Sequence, residues 1–449
     1  MRKTMAKIVT ANSLLSKHVT RRDRVLLLNP PVEETRYSWL RWNQPLDLLK
    51  IASRLRSHVE CGVKLLDCMK PDVNGKVAEE WLPRDRRYYT VKGERFPMRR
   101  FGMAYGEIVK HLTVLRQEGV KKQPTQVWIT SLCSYWYESV AEVCRIVRQT
   151  LPDAGIVLLG QYARLMPMHA VEACAADFVV SKPPDLSNEP AAFDLYGDKP
   201  PPFVAMQLKP AVAVAEVRVA VERGVMHFAF FEEDICQDSG GPLLEIFAKT
   251  KGLHKHLRYH FICGLDPAKV TPAVAEVIAD KQVAAAHFEE ADVGAELDVQ
   301  AYKRAQAYLR EAGLDDADNR ISGFVWLGRP GDQLEQIILR SFEVLNHLEG
   351  LILKPFAPTP ASPEHRENEE YLASIPHREW SPHFFPFAEL NGITRGEYHD
   401  LYRMAAFLNE KVRDGSFDFL KGTLGAQMLR ESLRREVWKL GPSPLRIID

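Results

Sequence analysis

Residues 24–31 read RVLLLNPP. Val25 to Leu28 are uniformly apolar, which is too many in a row for a strand with one face in water, and two prolines that cannot donate to a ladder end the run. A strand buried on both faces belongs to a parallel sheet covered by helices. Such a sheet requires strand and helix to alternate along the chain.

They do. A helical pattern with Leu46, Leu49, Ile51, Ala52 and Leu55 on one face follows, then VKLLDCM at 63–69. A stretch rich in Arg and Tyr (82–100) reads as irregular, a helix is expected near 104–118, and QVWIT at 126–130 is the third strand. A helix over 138–150, GIVLLGQYA at 155–163 and DFVVSKP at 177–183 complete five strands. The expected fold is α/β, with a doubly wound, Rossmann-like (flavodoxin-like) domain at 24–183 behind an N-terminal tail, 1–23.

Ligands of such sheets bind beyond the carboxyl ends of the strands, where the strand order reverses. The loops NPPVEETRYSW (29–39) and SLCSYWYES (131–139) are expected to face each other there. Tyr135, Trp136 and Tyr137 read as one wall of a site for a large flat ligand, against the plainer alternative that they pack on helix ends.

The segment SKPPDLSNEPAAFDLYGDKPPP (181–202) is dense in Pro and Asp and marks a boundary, with 184–202 as linker. Six further strands follow: FVAMQL (203–208), HFAFFEED (227–234), YHFICG (259–264), AAHFEE (285–290), ISGFVWLG (321–328) and LILKPFAP (351–358). Helical patterns separate them, so 203–360 is expected to be an open, partial (β/α)6 TIM-like barrel with any site at its C-terminal rim. Residues 361–449 are expected to form a helical C-terminal region capping that barrel.

Bulk properties narrow the function. The chain has 59 basic and 59 acidic residues among 449 and no long basic block, which argues against nucleic acid. No apolar run approaches a membrane span and the basic start lacks a secretory core, so a cytoplasmic protein is expected. The seven cysteines, Cys61, Cys68, Cys133, Cys144, Cys174, Cys236 and Cys263, form no CxxC pair and read as reduced thiols.

Several of these segments, in this order, resemble cobalamin-binding radical-SAM proteins. SLCSYWYESV and LLGQYARLMP resemble that family's TYWYPGV and GGxYAxLxP segments, and RVLLLNPP with PLDLLKIASRL resembles the opening of its cobalamin domain. FAFFEEDI (228–235) stands where the family has AFYDDAL, and GLDPAKVTPAVAEVIAD (264–280) is similar to its third-strand loop and helix. GRPG (328–331) and PFAPTP (355–360) resemble its GLPG and SPIPGT. The resemblance implies a cobalamin site lined by Asn29, Pro30, Tyr37, Trp39, Ser134, Tyr135, Trp136, Tyr137, Gly160, Gln161 and Tyr162, with the nucleotide tail entering beside the sheet. The family's two glycines are here Gly160 and Gln161, and that side chain would either obstruct the tail or hydrogen-bond it.

The resemblance breaks where the family's chemistry resides. Radical-SAM enzymes hold a [4Fe–4S] cluster on CxxxCxxC after the first barrel strand, leaving one iron open to SAM. Here FVAMQL passes through KP straight into AVAVAEVRVAVERG, and no cysteine lies between Cys174 and Cys236. Neither that cluster nor reductive SAM cleavage is expected, and SAM binding would lose its chelating anchor. Glu232, Glu233, Cys236, Cys263 and Glu289, beside His287 and Glu290, are the candidates for a rim pocket, with no metal assigned to them.

Three functions are compatible with this reading. The first is a radical-SAM-like pseudoenzyme that holds cobalamin, or only the shape of its site, and acts as carrier, sensor or partner. The second is a non-radical cobalamin-dependent enzyme such as a methyltransferase; the third is a structural subunit of a catalytic radical-SAM paralogue, and the partners so implied are that paralogue or a substrate protein.

Overall fold

The computed structural model describes residues 6–36, 44–119, 122–232, 234–290, 292–293, 296–314 and 321–415. The chain divides into two compact units. The first holds residues 1–205, 219–225 and 359–379, and the second holds 206–218, 226–358 and 380–449.

The first unit contains β1 (Lys7–Thr10), α1 (Ala11–His18), β2 (Arg24–Asn29), β3 (Val32–Glu34), α2 (Leu46–Arg54) and β4 (Gly62–Asp67). It continues with the short strands β5 (Glu79–Trp81), β6 (Tyr88–Val91), β7 (Glu94–Pro97) and β8 (Arg99–Phe101), then α3 (Tyr105–Gln117), β9 (Gln126–Ser131) and α4 (Tyr137–Thr150). β10 (Gly155–Leu159), α5 (Gly160–Leu165), α6 (Pro167–Ala173) and β11 (Phe178–Lys182) complete its main sheet.

That sheet is ordered β1-β11-β10-β9-β2-β4, with parallel pairings. β2 sits between β9 and β4, so the order reverses between β2 and β9. Alternate strand residues point to opposite faces. Leu26 and Leu28 join a core with Ile129, Val143, Ile156 and Leu158, and Leu27 joins another with Leu14, Leu48, Ile51 and Trp128. Helices therefore cover both faces, as the unbroken apolar strands require.

Two segments of this unit differ from the sequence reading. Residues 7–18, within the expected tail, add an edge strand and a helix, because Lys7–Thr10 finds the open edge of β11. The stretch 82–100, expected to be irregular, is largely strand: β3-β8-β5 form a small antiparallel sheet, and β6 and β7 a hairpin. The linker residues fall within this unit and carry a single 3-10 turn, Phe193–Tyr196.

A second parallel sheet comprises β12 (Phe203–Met206), β13 (His227–Phe230), β14 (Arg258–Leu265), β15 (Val283–Phe288), β18 (Ile321–Leu327) and β19 (Gly350–Pro355), in strictly sequential order. β12 spans the sequence boundary between the units. The intervening helices are α7 (Pro210–Glu222), α8 (Gly241–Thr250), α9 (Pro272–Ala279), α10 (Val299–Glu311) and α11 (Leu334–His347). Asp292–Val293 and Glu296–Leu297 make the two-residue pair β16 and β17.

Right-handed crossovers between sequential strands place every helix on the same face. Burial follows: Phe228, Phe230, Tyr259, Phe261, Ala286 and Phe288 lie under the helices with at most 1% exposure. His227, His260, His287, Ser322, Trp326 and Lys354 alternate with these core residues and are only half-buried.

α12 (Pro363–Glu367) and α13 (Glu369–Ala373) belong to the first unit, and α14 (Ala388–Asn391) and α15 (Arg395–Arg413) to the second. α15 starts from a capping box of Thr394 and Glu397 and buries Tyr398, Leu401, Met404 and Leu408. Its Asn409 exchanges two 2.8 Å hydrogen bonds with the Leu351 backbone, satisfying the open edge of β19. The rest of the expected C-terminal helical region, 416–449, lies outside the described residues. No described helix is long and apolar enough to cross a membrane.

Candidate functional site

In the first unit, the carboxyl ends of β2, β4 and β9 are occupied by the chain itself. Asp67, 8% exposed, accepts hydrogen bonds from Asn29 Nδ2 at 2.8 Å and Tyr196 Oη at 2.6 Å. Burial raises the Asp67 carboxyl, partly offset by the Tyr196 and Asn29 bonds. Pro30 is buried beside this triad. The residue linker thus supplies, through Tyr196, a plug over the ends of β2 and β4.

The aromatic trio separates. Trp136 packs on Val32 of β3, on Met69 and Val77 from the loop after β4, and on Phe101 of β8. Tyr137 meets His169 edge-on at 4.8 Å and His377 at 5.7 Å. Tyr135 stands edge-on to Trp136 at 5.6 Å, and Ser134 is 7% exposed. Trp136 and Tyr137 both take part in packing clusters, Trp136 with Val32 of β3 and Phe101 of β8. Tyr37 and Trp39 lie outside the described residues.

Gly160 has φ +90°, and a Cβ there would lie 2.5 Å from Thr130 Oγ1 and 2.6 Å from Ser131 O. The glycine serves the bridge between Ser131 and Gly160, where two strand ends approach. Gln161 is exposed and accepts from Arg164 Nε at 2.8 Å. Tyr162 is fully buried and hydrogen-bonded to His169 Nδ1 at 2.7 Å. Thr130 also donates to Asp47, whose carboxyl is raised by removal from water.

Cobalamin requires room for its nucleotide beside the sheet. The cavity next to Gly160 is lined by Leu14, Leu15, Ile51, Trp128 and Val180 and measures ≈ 20 Å³. That volume admits about one water molecule. α1, within the expected N-terminal tail, contributes Ala11, Leu14 and Leu15 to its wall. As they stand, these residues do not fit the tail.

The second unit's rim is built differently. β12 and α7 are joined by residues 207–209 alone, and the Leu208 amide donates to Glu232 Oε1 at 2.6 Å. Glu232 therefore caps the short junction from the end of β13. Cys263 Sγ sits 3.7 Å from the Glu232 carbonyl. Glu289, at the end of β15, accepts from Lys354 Nζ at 3.0 Å and from the Gly264 amide at 3.1 Å.

Lys354 is the residue the sequence reading missed. Its ammonium lies 4.7 Å over the Phe324 ring and 4.5 Å over Trp326, so two aromatic faces and one carboxylate fix a cation at the end of β19. A lone lysine at a strand end has no motif, and its partner is 65 positions away. Glu232, Cys263 and Glu289, expected at the rim, do gather here. Cys236 does not: it is 1% exposed, and Asp234 and Asp266 are its charged neighbours. Glu233 lies outside the described residues.

Burial sets the protonation states of two rim groups. Burial pushes the Cys263 thiol up to about 12, with Lys354 opposing, so it is not a thiolate at neutral pH. Burial lowers His287 to about 4, leaving a neutral imidazole. Below the rim, Glu290 is held by Arg340 at 2.9 Å and receives the Trp326 amide. Among the described residues, no group of three or more His, Cys, Asp or Glu is arranged to hold a metal ion.

No family model and no curated protein matches the chain. Among solved structures it is similar to the carboxyl transferase domain of Rhizobium etli pyruvate carboxylase, solved with pyruvate, at 13% identity over 98% of this chain and 68% of that one. The TM-score is 0.22, and a likeness of that size carries neither fold nor function to this chain.

Proposed function

We propose that this protein is a binding protein on a scaffold like that of cobalamin-binding radical-SAM proteins, a pseudoenzyme that holds only the shape of the cobalamin site and acts as sensor or partner without reductive SAM chemistry. In this reading the first unit is a Rossmann-like, flavodoxin-like domain, supported by its reversal of strand order between β2 and β9. The second is a partial (β/α)6 TIM-like barrel, supported by its sequential parallel order. The observation that carries the proposal is the junction of residues 207–209, capped by Glu232 where the resembling family inserts its cluster loop.

The first unit keeps the shape of a cobalamin domain with its carboxyl edge closed by Tyr196, Trp136 and α1. The rim of Glu232, Cys263, Glu289 and Lys354 is then the ligand face, and it supplies fixed charge and aromatic surface.

Anaerobic reconstitution with iron and sulfide, followed by dithionite and SAM, tests the loss of radical chemistry. No 5′-deoxyadenosine is expected, and its formation would overturn the proposal. Incubation with hydroxocobalamin in the dark and desalting tests the closed face. Corrin absorbance is expected to wash away, whereas retention near one equivalent would make the protein a cobalamin carrier.

A further inference from the structure

The ribbon of β5 to β8 buries one face and, away from the buried Phe101, exposes the other. Strand side chains alternate, so Phe96, Met98 and Arg100 share one face and Arg95, Pro97 and Arg99 the other. The first face is buried, with Phe96 at 6%, Met98 at 1% and Arg100 at 8% exposure. Arg100 there bonds Glu33 at 2.8 Å and stacks on Tyr105 at 3.9 Å.

The outer face carries the opposite composition from an ordinary solvated sheet face. Register places Tyr88 across from Pro97, Thr90 from Arg95 and Trp81 from Arg99. Trp81 and Tyr88 are each 47% exposed. The Arg95 guanidinium lies 4.1 Å over Tyr88, and Arg99 4.1 Å and Arg87 6.0 Å over Trp81. Trp, Tyr and Arg are the residues that dominate interface energetics, and stacking holds the guanidinium forks in place before a partner arrives.

Charge selects the partner. Arg99 is neutralised by Glu79 at 3.1 Å, whereas Arg87 and Arg95 carry no ion pair among the described residues. Arg87 Nε makes no hydrogen bond among them. Two forks beside the exposed carboxylate of Glu79, with that of Glu94 on the neighbouring face, suit a short run of carboxylates interleaved with aromatic or apolar groups. A continuous polyphosphate would meet those carboxylates at close range.

We propose that this face is a docking surface for an acidic protein segment, anchored by Trp81 and Tyr88 and read by Arg87 and Arg95. It does not depend on the reading of the second unit.

Fluorescence anisotropy on the full chain tests it, with a labelled short peptide of alternating Glu and Tyr, its Gln–Tyr counterpart and a single-stranded oligonucleotide of equal charge. Binding to the Glu–Tyr peptide is expected to weaken about tenfold or more in the R87E/R95E and W81S variants, and to fall with added salt. These positions are surface side chains, and circular dichroism checks that each variant is folded. Absence of peptide binding, equal binding of the Gln–Tyr peptide, indifference to the variants or tighter binding of the oligonucleotide would each overturn it.

Discussion

The two parallel sheets of this protein end in contrasting ways. At the carboxyl edge of the first, side chains from the chain's own additions close the surface: Tyr196 on Asp67, Trp136 among Val32, Met69, Val77 and Phe101, and α1 beside Gly160. At the corresponding edge of the second, Lys354, Glu289, Glu232 and Cys263 stay half-buried and polar. The lesson is that a topological crevice is only an opportunity. Short strands and a stray helix fill one, while a three-residue junction, 207–209, leaves the other as a rim of fixed charges.

The strongest way to break this contrast is to undo the closure itself. Glu33 is buried to 2% of its side chain between Arg100 and Arg86, so Glu33→Ala leaves Arg100 buried without its main partner. A loss of about 3–5 kcal/mol is expected in urea unfolding. A loss below about 1 kcal/mol would mean that the β3-β8-β5 sheet is not what holds the first edge shut.

Acid should reach both units. His287 and His377 fall to about 4 on folding, chiefly through burial, with His169 adding to the effect on His377. In the unfolded chain each binds its proton near pH 6.5, so the unfolded state holds more protons between those values. Stability is therefore complete above pH 6.5 and declines as pH falls towards 4, by up to about 3 kcal/mol for each histidine. His287→Asn should flatten its share of the slope relative to the parent. An unchanged pH profile would show that His287 is protonated in the fold, beside Glu289.

Gly160→Ala sharpens the comparison at a single atom. With φ +90° and a contact of 2.5 Å to Thr130 Oγ1, the variant should lose about 2–3 kcal/mol. Undiminished stability would place a usable gap under the sheet and reopen the first edge to a ligand.

The smallest stability effect belongs to the rim. Lys354 and Glu289 keep 26% and 23% side-chain exposure, so Lys354→Met should cost only about 1 kcal/mol. A loss of several kcal/mol would make the pair a structural brace and not part of an adaptable ligand face.

The strands were legible because burial on both faces demands unbroken apolar runs, and RVLLLN, QVWIT and GIVLL supply them. The short β5 to β8 were not, because three- and four-residue strands mixing Arg, Glu and Tyr show no clean alternation. Of the candidate site, Glu232, Cys263 and Glu289 could be read from their places at strand ends. The fate of Trp136 could not, since its neighbours Val32, Met69 and Phe101 come from three separate segments.

By itself the sequence determined two α/β layers, the parallel strands, the short junction after Met206 and the absence of cysteine between Cys174 and Cys236, all of which are local facts of hydrophobic pattern and spacing. Tertiary structure alone decided that Trp136 and Tyr137 pack inward, that α1 walls the cavity at Gly160, and that Lys354 meets Glu289. Each of those depends on which distant residues share one small volume, and pairings of that kind leave no periodic trace along a single chain.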